Sequence, residues 1–340
     1  MLPGSGPSFP TALLKDSLVA LAADNIYVGT SSWKYPGWLG LLYDEQRYLY
    51  RGRLAEIRFR RDCLEEYAQV FRTVCVDAGY YTFPSPQYVD GLCRQVPEGF
   101  KFSFKVTDEI TACTFPNLPR HGKRGGQRNP HFLDAELFRS AFLASCEPHR
   151  DKIGVLMFEF SHLHPRDFQR GRDFVDALDS FLGKLPTGWQ YGVEVRNRSF
   201  LHPDYFAMLR SHGVTHVLNN WTRMPPVAEQ LEMPGSLTSD EFVAARFLLK
   251  PGRTFEQAVE AFQPYNATKD IYEEARDAAA AIIRMRQADT QRRQSKDKPS
   301  FLFVNNRLEG NALFTILAIL SRLNLPAKEA SQNPAQPASV

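Results

Sequence analysis

Eight times along this chain, a short run rich in β-branched and aromatic residues is followed by a loop and then by a segment with helical spacing of its apolar residues. The runs lie at 26–31, 73–77, 100–106, 153–160, 190–196, 214–219, 242–249 and 300–305. Several are apolar almost without interruption, as in GVLMFEF, HVLNN and FLFV. Unbroken apolar character means that both faces of a strand are covered, as in parallel strands flanked by helices. Helical segments are expected at 62–71, 134–146, 167–182, 203–211, 270–293 and 310–323. In the first of them Leu64, Tyr67, Ala68 and Phe71 recur at intervals of three and four, which makes one apolar stripe. Pro203 suits the first turn of its helix. A repeated strand–helix alternation builds a parallel sheet with crossover helices, and eight units close most naturally into a (β/α)8 TIM barrel. The alternative, an open doubly wound sheet, has no G-x-G-x-x-G after the first strand to support it.

A length of 340 residues fits a one-domain α/β barrel with additions. The barrel is assigned to 25–324. An N-terminal extension without clear pattern, 1–24, precedes it. A polar tail of disorder-like composition, 325–340, follows it. A formal net charge of +3 gives no general reason to expect nucleic acid or an anionic membrane as partner. The apolar run 18–23 is too short to cross a membrane, and Lys15 and Asp16 interrupt any signal-peptide pattern. Five cysteines without a C-x-x-C pair read as free thiols of a reducing, cytoplasmic compartment. Cys75, inside an apolar run, reads as a small buried hydrophobe.

In such a barrel the site is built at the C-terminal ends of the strands. Those ends carry Ser31, Ser32 and Trp33 with Tyr35; Asp77 with Tyr80 and Tyr81; Lys105 and Thr107; Glu159 with Ser161 and His162; Glu194, Arg196 and Asn197; Asn219, Asn220 and Trp221; Arg246 and Lys250; and Asn305 and Asn306. Polar groups at the ends of apolar runs are costly to bury without partners. A ring of them around one mouth therefore points to a ligand, although each has a plainer reading. Glu194 and Arg196 lie on one side of their strand and are also able to order the mouth by pairing with neighbours. Asn305 and Asn306 suit loop capping. The aromatics are as able to cover core as to stack on a ligand. Cations (Lys105, Arg196, Arg246 and Lys250) outnumber carboxylates (Asp77, Glu159 and Glu194), and guanidinium forks match phosphate or carboxylate. An anionic small molecule, phosphorylated or carboxylated and sugar-like if the aromatics stack on it, is the expected partner. Glu194, Glu159 and Asp77 are the candidate catalytic groups, with Ser32, Trp33, Tyr35, Tyr81, Lys105, Arg196, Asn219, Arg246, Asn305 and Asn306 as candidate ligand contacts. No metal is expected, because His162 and His164 lack zinc-site spacing. Neither H-E-x-x-H nor a G-x-S-x-G elbow is present.

Several motifs, in this order and spacing, resemble the YecE-like family. They are Val28-Gly29-Thr30-Ser31-Ser32-Trp33 with Tyr35, Trp38 and Tyr43; Tyr67-Ala68 with Phe71-Arg72-Thr73-Val74; Pro97 with Phe100 to Lys105; Val193 to Phe200; Arg246 with Gly252-Arg253; and Asn305-Asn306 through Gly310-Asn311-Ala312. The resemblance implies a TIM barrel and brings no established cofactor, reaction or catalytic residue. It also marks departures. Cys75 stands where the family has glutamate, Asp77 where asparagine is common, Glu159 where glutamine is usual, and Ala112 where a histidine follows Ile-Thr. The basic loop 121–128 resembles an insertion. Three functions follow as alternatives: an enzyme on a small anionic substrate, a nucleic-acid or phosphodiester barrel using the basic loop, and a non-catalytic binding protein.

Overall fold

The computed structural model describes residues 9–293 and 298–323. Eight parallel strands close into a barrel. They are β1 (Ile26–Thr30), β2 (Thr73–Val76), β3 (Lys101–Lys105), β4 (Ile153–Phe160), β5 (Gln190–Val195), β6 (Thr215–Asn220), β7 (Val243–Phe247) and β8 (Ser300–Val304). Each falls within two residues of its expected bounds. β8 pairs with β1 in register, Ile26 opposite Ser300 through Thr30 opposite Val304, and Thr30 opposite Val74 completes the ring. No helix among the described residues is long and apolar enough to cross a membrane.

Each strand is followed by helix. The principal segments are Glu56–Val70, Pro86–Cys93, the run from Ala135 to Cys146, Gly171–Leu182, Pro203–Ser211, Val227–Glu232, Phe255–Phe262 with Glu273–Arg293, and Ala312–Leu320. The N-terminal extension is not patternless. Thr11–Ala23 is a helix that buries Leu14, Leu18 and Leu21 and packs on β1 and on Glu56–Val70. Its apolar residues lie on several sides, which blurs the period, and Pro10 before it offers no side-chain cap. The tail 325–340 lies outside the described residues.

Two apolar layers follow from strand alternation. Side chains facing outward meet the helices. Those facing inward fill the barrel: Tyr27, Cys75, Val155, Met157, Val217, Ala244, Phe301 and Phe303. β4 reaches this phase through a bulge, since Phe102 and Phe104 on β3 pair with Ile153 and Leu156. The extra residue shifts which side chains point in. Ser103 stabilises the bulge by accepting a hydrogen bond from the Val155 amide at 3.1 Å. Gly154 is required there, because a Cβ would lie 2.8 Å from both the Phe301 ring and Ser103 Oγ. Counting on by twos from Val155 gives Met157 and then Glu159. The bulge therefore aims Glu159 into the mouth.

Candidate functional site

The same counting carries each inward column to its polar last member. Cys75 leads to Asp77, Ser103 to Lys105, Met157 to Glu159, Val217 to Asn219, Ala244 to Arg246, and Phe303 to Asn305. Glu194 and Arg196 top β5 together, with Glu159 opposite Glu194 in register and Asn219 opposite Arg246. Six charged groups converge there. Arg246 Nη1 donates to Glu159 Oε2 at 2.8 Å and to Glu194 Oε2 at 2.6 Å, and its Nη2 lies 3.5 Å from Asp77 Oδ1. Arg196 Nη2 lies 3.0 Å from Glu159 and 2.6 Å from Glu194. Lys105 Nζ lies 3.0 Å from Glu159 and 4.0 Å from Asp77. Glu194 is fully buried, and Glu159, Arg196, Arg246 and Lys105 are nearly so. Asp77 alone keeps appreciable exposure, 29% of its side chain.

Three carboxylates and three cations make this cluster formally neutral, which corrects the expected excess of cations. Lys250 is not part of it. β7 ends at Phe247, strand alternation stops there, and Lys250 turns away to lie 3.6 Å from Asp270. Burial pushes the Glu159 carboxyl up, but Arg196, Lys105 and Arg246 together outweigh it and hold it well below the usual carboxylate range. Burial likewise works against the Lys105 and Arg246 cations, and the facing carboxylates overcome it, so both pKa values rise. Burial pushes the Cys75 thiol far up. The thiol is thus held protonated and is not a nucleophile.

The remaining candidates divide. Asn219 donates to the Val195 and Val217 carbonyls at 3.3 and 3.2 Å, leaving Oδ1 without a partner. Asn305 Oδ1 accepts from the Arg307 amide and Asn306 Oδ1 from the Ala312 amide. Both therefore cap turns while their Nδ2 groups stay unpartnered. Ser31 Oγ is buried and unpartnered, whereas Ser32 is half-buried and its carbonyl accepts from Thr30 Oγ1. Trp33 is buried in the outer core. Tyr35 packs on Trp38 and Tyr265, with ring centroids 4.8 and 5.8 Å away. Tyr81 is exposed at the rim. Tyr80 and Trp221 each contact the cluster more directly. Lys105 Nζ lies 4.0 Å from the centre of the Tyr80 ring and the Arg196 guanidinium 3.7 Å from that of Trp221. Arg120, outside the expected basic loop, stacks on Tyr80 and Tyr81 at 5.3 and 4.8 Å. Only tertiary folding places it there, and no local motif marks it.

Part of the basic loop, and Arg120 just before it, is paired with carboxylates. Arg120 pairs with Asp108 at 2.7 Å and Arg124 with Glu109 at 2.8 Å. His121 is buried 3.3 Å from Asp108. His162 and His164 lie with ring centroids 5.2 Å apart. Among the described residues no group of three or more histidines, cysteines or acids is arranged to hold a metal.

A buried polar network braces the end of β6. Gln230 Oε1 accepts from the Asn219 amide at 3.2 Å and lies 3.3 Å from His216 Nε2. His216 Nδ1 lies 3.3 Å from the Tyr205 hydroxyl. Burial lowers the His216 pKa to about 4. As pH falls below about 6.5, the unfolded chain takes up this proton before the folded one. Stability is therefore expected to decline from pH 6.5 to pH 4 by about 3 kcal/mol. Urea titrations of wild type and His216→Asn across that window check this. An equal slope in both proteins would remove His216 as the cause.

Comparison with known proteins bears on the same residues. The family model described as protein of unknown function DUF72 matches residues 27–339. The protein YecE of Escherichia coli K12, and its counterpart in strain O157:H7, is 29% identical over 182 residues. That match covers 54% of this chain and 50% of YecE, so the chain spans about half the length of the curated relatives it matches. A DUF72 family protein of Enterococcus faecalis superposes with a TM-score of 0.59 at 18% identity, covering 88% of this chain and 98% of that one. One from Thermotoga maritima gives 0.56 at 22% identity, covering 87% and 98%. Those structures share the fold, and the family pattern runs through the strands that carry the charged mouth: the chain belongs to the DUF72 family.

Proposed function

We propose that the barrel mouth binds a small anionic molecule, phosphorylated or carboxylated, and that Arg196 and Arg246 receive its oxygens. One observation carries this reading. Buried donors without a protein partner gather at the strand ends: Nε and Nη1 of Arg196, Nε of Arg246, and Nδ2 of Asn305 and Asn306. On the same ring the acceptors without a hydrogen bond are fewer, Asn219 Oδ1 and Glu194 Oε1, and the latter faces Arg196. Unmet buried donors are costly. A ligand rich in acceptor oxygens matches both their number and their planar guanidinium geometry.

The neutral ion cluster beneath fixes the two arginines. Its six groups satisfy one another's charge while leaving Nε and Nη1 of Arg196 and Nε of Arg246 without a hydrogen-bond partner. On this reading the carboxylates have different roles. Glu194 and Glu159 are buried and held by cations, so they position Arg196 and Arg246. Glycoside cleavage needs one carboxyl that carries a proton, and Glu159 is held ionised. Asp77, partly exposed at the rim, is the carboxylate placed to exchange a proton with a bound molecule. The same pairing fits a binding protein that holds its ligand unchanged. The nucleic-acid reading draws less support, since Arg124 of the basic loop is already paired with Glu109.

Native mass spectrometry of the purified protein, followed by extraction of what it retains, tests the reading. A phosphorylated or carboxylated adduct is expected. An uncharged adduct would contradict it. Incubating the extracted compound with wild type and Asp77→Asn then tests proton transfer. Equal conversion by both would remove Asp77 from the chemistry.

A further inference from the structure

Arg196 and Arg246 are held unequally. Arg246 is gripped through two nitrogens, Nη1 by Glu159 and Glu194 and Nη2 by Asp77. Arg196 is tied through one, since its ion pairs to Glu159 at 3.0 Å and to Glu194 at 2.6 Å are both made by Nη2. A planar group anchored at one corner keeps the freedom to tilt about that corner. A second restraint is needed to fix where Nε and Nη1 point. Trp221 supplies it: the Arg196 guanidinium carbon lies 3.7 Å from the centre of its ring. The Arg196 side chain is only 4% exposed, and a desolvated cation over an aromatic face is the stronger form of this contact.

Trp221 is itself anchored. Val217 and Asn219 face inward along β6, and the next step of two reaches Trp221 just past the strand end, over the mouth. The backbone on either side is tied to the segment after β7. The Asn220 carbonyl accepts from the Leu249 amide at 3.3 Å and the Thr222 carbonyl from the Gly252 amide at 2.9 Å. Thr222 Oγ1 donates to the Arg253 carbonyl at 2.7 Å. The indole packs against the buried group Leu249, Ala258, Phe262 and Tyr265.

We infer that Trp221 is a positioning residue of the anion site: by stacking on Arg196 it fixes the guanidinium plane in which the unpartnered Nε and Nη1 are presented to the bound oxygens. The inference rests on the anion-binding reading above and adds the group that orients its less firmly held arginine. It also separates Trp221 from the role of a stacking platform. The ring face that carries a guanidinium is not open to a ring of the ligand, so Trp221 acts on the anion through Arg196. Arg246, held at two nitrogens, needs no such partner.

Two measurements on the full chain test it. In nuclear magnetic resonance spectra of the unligated protein, the Arg196 Nε–H proton is identified by its absence from Arg196→Gln. It is expected to be shifted upfield by the Trp221 ring current, to lose that shift in Trp221→Leu and to keep part of it in Trp221→Phe. Calorimetry with inorganic phosphate, with thermal midpoints measured alongside, is expected to show binding about fivefold weaker in Trp221→Leu, the worth of one desolvated cation–π contact. Trp221→Phe, which keeps a ring under the guanidinium, is expected to bind within about twofold of wild type. An unshifted Arg196 proton in the wild type would overturn the positioning role without any change at Trp221. So would wild-type phosphate affinity in Trp221→Leu, whatever its thermal midpoint, or equal weakening in both variants. Each of these results leaves the anion site standing. No phosphate binding by wild type would overturn the anion site, and the positioning role with it.

Discussion

Arg246→Met is expected to destabilise the protein by about 3–5 kcal/mol, the usual consequence of removing one partner from a buried ionic group. Arg246 is the only cation of the cluster that reaches all three carboxylates, at 2.8 Å from Glu159, 2.6 Å from Glu194 and 3.5 Å from Asp77. Without it three negative groups share Lys105 and Arg196. Methionine conserves most of the apolar stem, so the loss reports charge rather than volume. Chemical denaturation of the single variant, and of Arg246→Met combined with Glu194→Gln, separates the two causes. The double variant is expected to recover part of the loss because one uncompensated charge has gone. A loss below about 1 kcal/mol, typical of exposed pairs, would mean that the cluster is wetter and looser than its geometry implies.

Arg196→Gln is expected to weaken binding of inorganic phosphate about 100-fold. Its Nε and Nη1 are two of the unpartnered donors, and a hydrogen bond from a charged donor contributes about 1.5–3 kcal/mol. Folding should survive this change better than loss of Arg246. Glu159 keeps Lys105 and Arg246, and Glu194 keeps Arg246. Arg196→Lys restores the charge but not the planar fork, and an intermediate loss of about tenfold is expected. Calorimetry with thermal midpoints measured in parallel reads both effects. Wild-type affinity in a folded Arg196→Gln would place the anion elsewhere.

The strands were the most legible part of the chain because burial on both faces leaves unbroken apolar runs such as 153–160 and 300–304. The rule that a barrel's site lies at its strand ends then leads to Asp77, Lys105, Glu159, Glu194, Arg196 and Arg246. It failed where the strand ended sooner than the apolar run did: Lys250 shares parity with Arg246, but the backbone turns after Phe247. The sense of the cluster was also hidden. Counting residues gives four cations against three carboxylates, and only packing shows that three of each neutralise one another. Arg120 reaches the Tyr80 and Tyr81 rings at the rim through the tertiary fold, which no local pattern reports. The helix at Thr11–Ala23 was obscured by apolar residues on several of its sides and by the missing cap at Pro10. The YecE-like resemblance is borne out by the family match over residues 27–339.

Crystals grown without phosphate or sulfate and soaked in tungstate give the most direct test of the anion site. Tungstate is a tetrahedral oxyanion whose metal is located by anomalous scattering. An anomalous peak is expected at the barrel mouth, with oxygens within hydrogen-bond distance of Arg196 Nε or Nη1 and Arg246 Nε, and no such peak in Arg196→Gln crystals. Peaks confined to surface arginines and lysines, with the mouth holding only water, would contradict it.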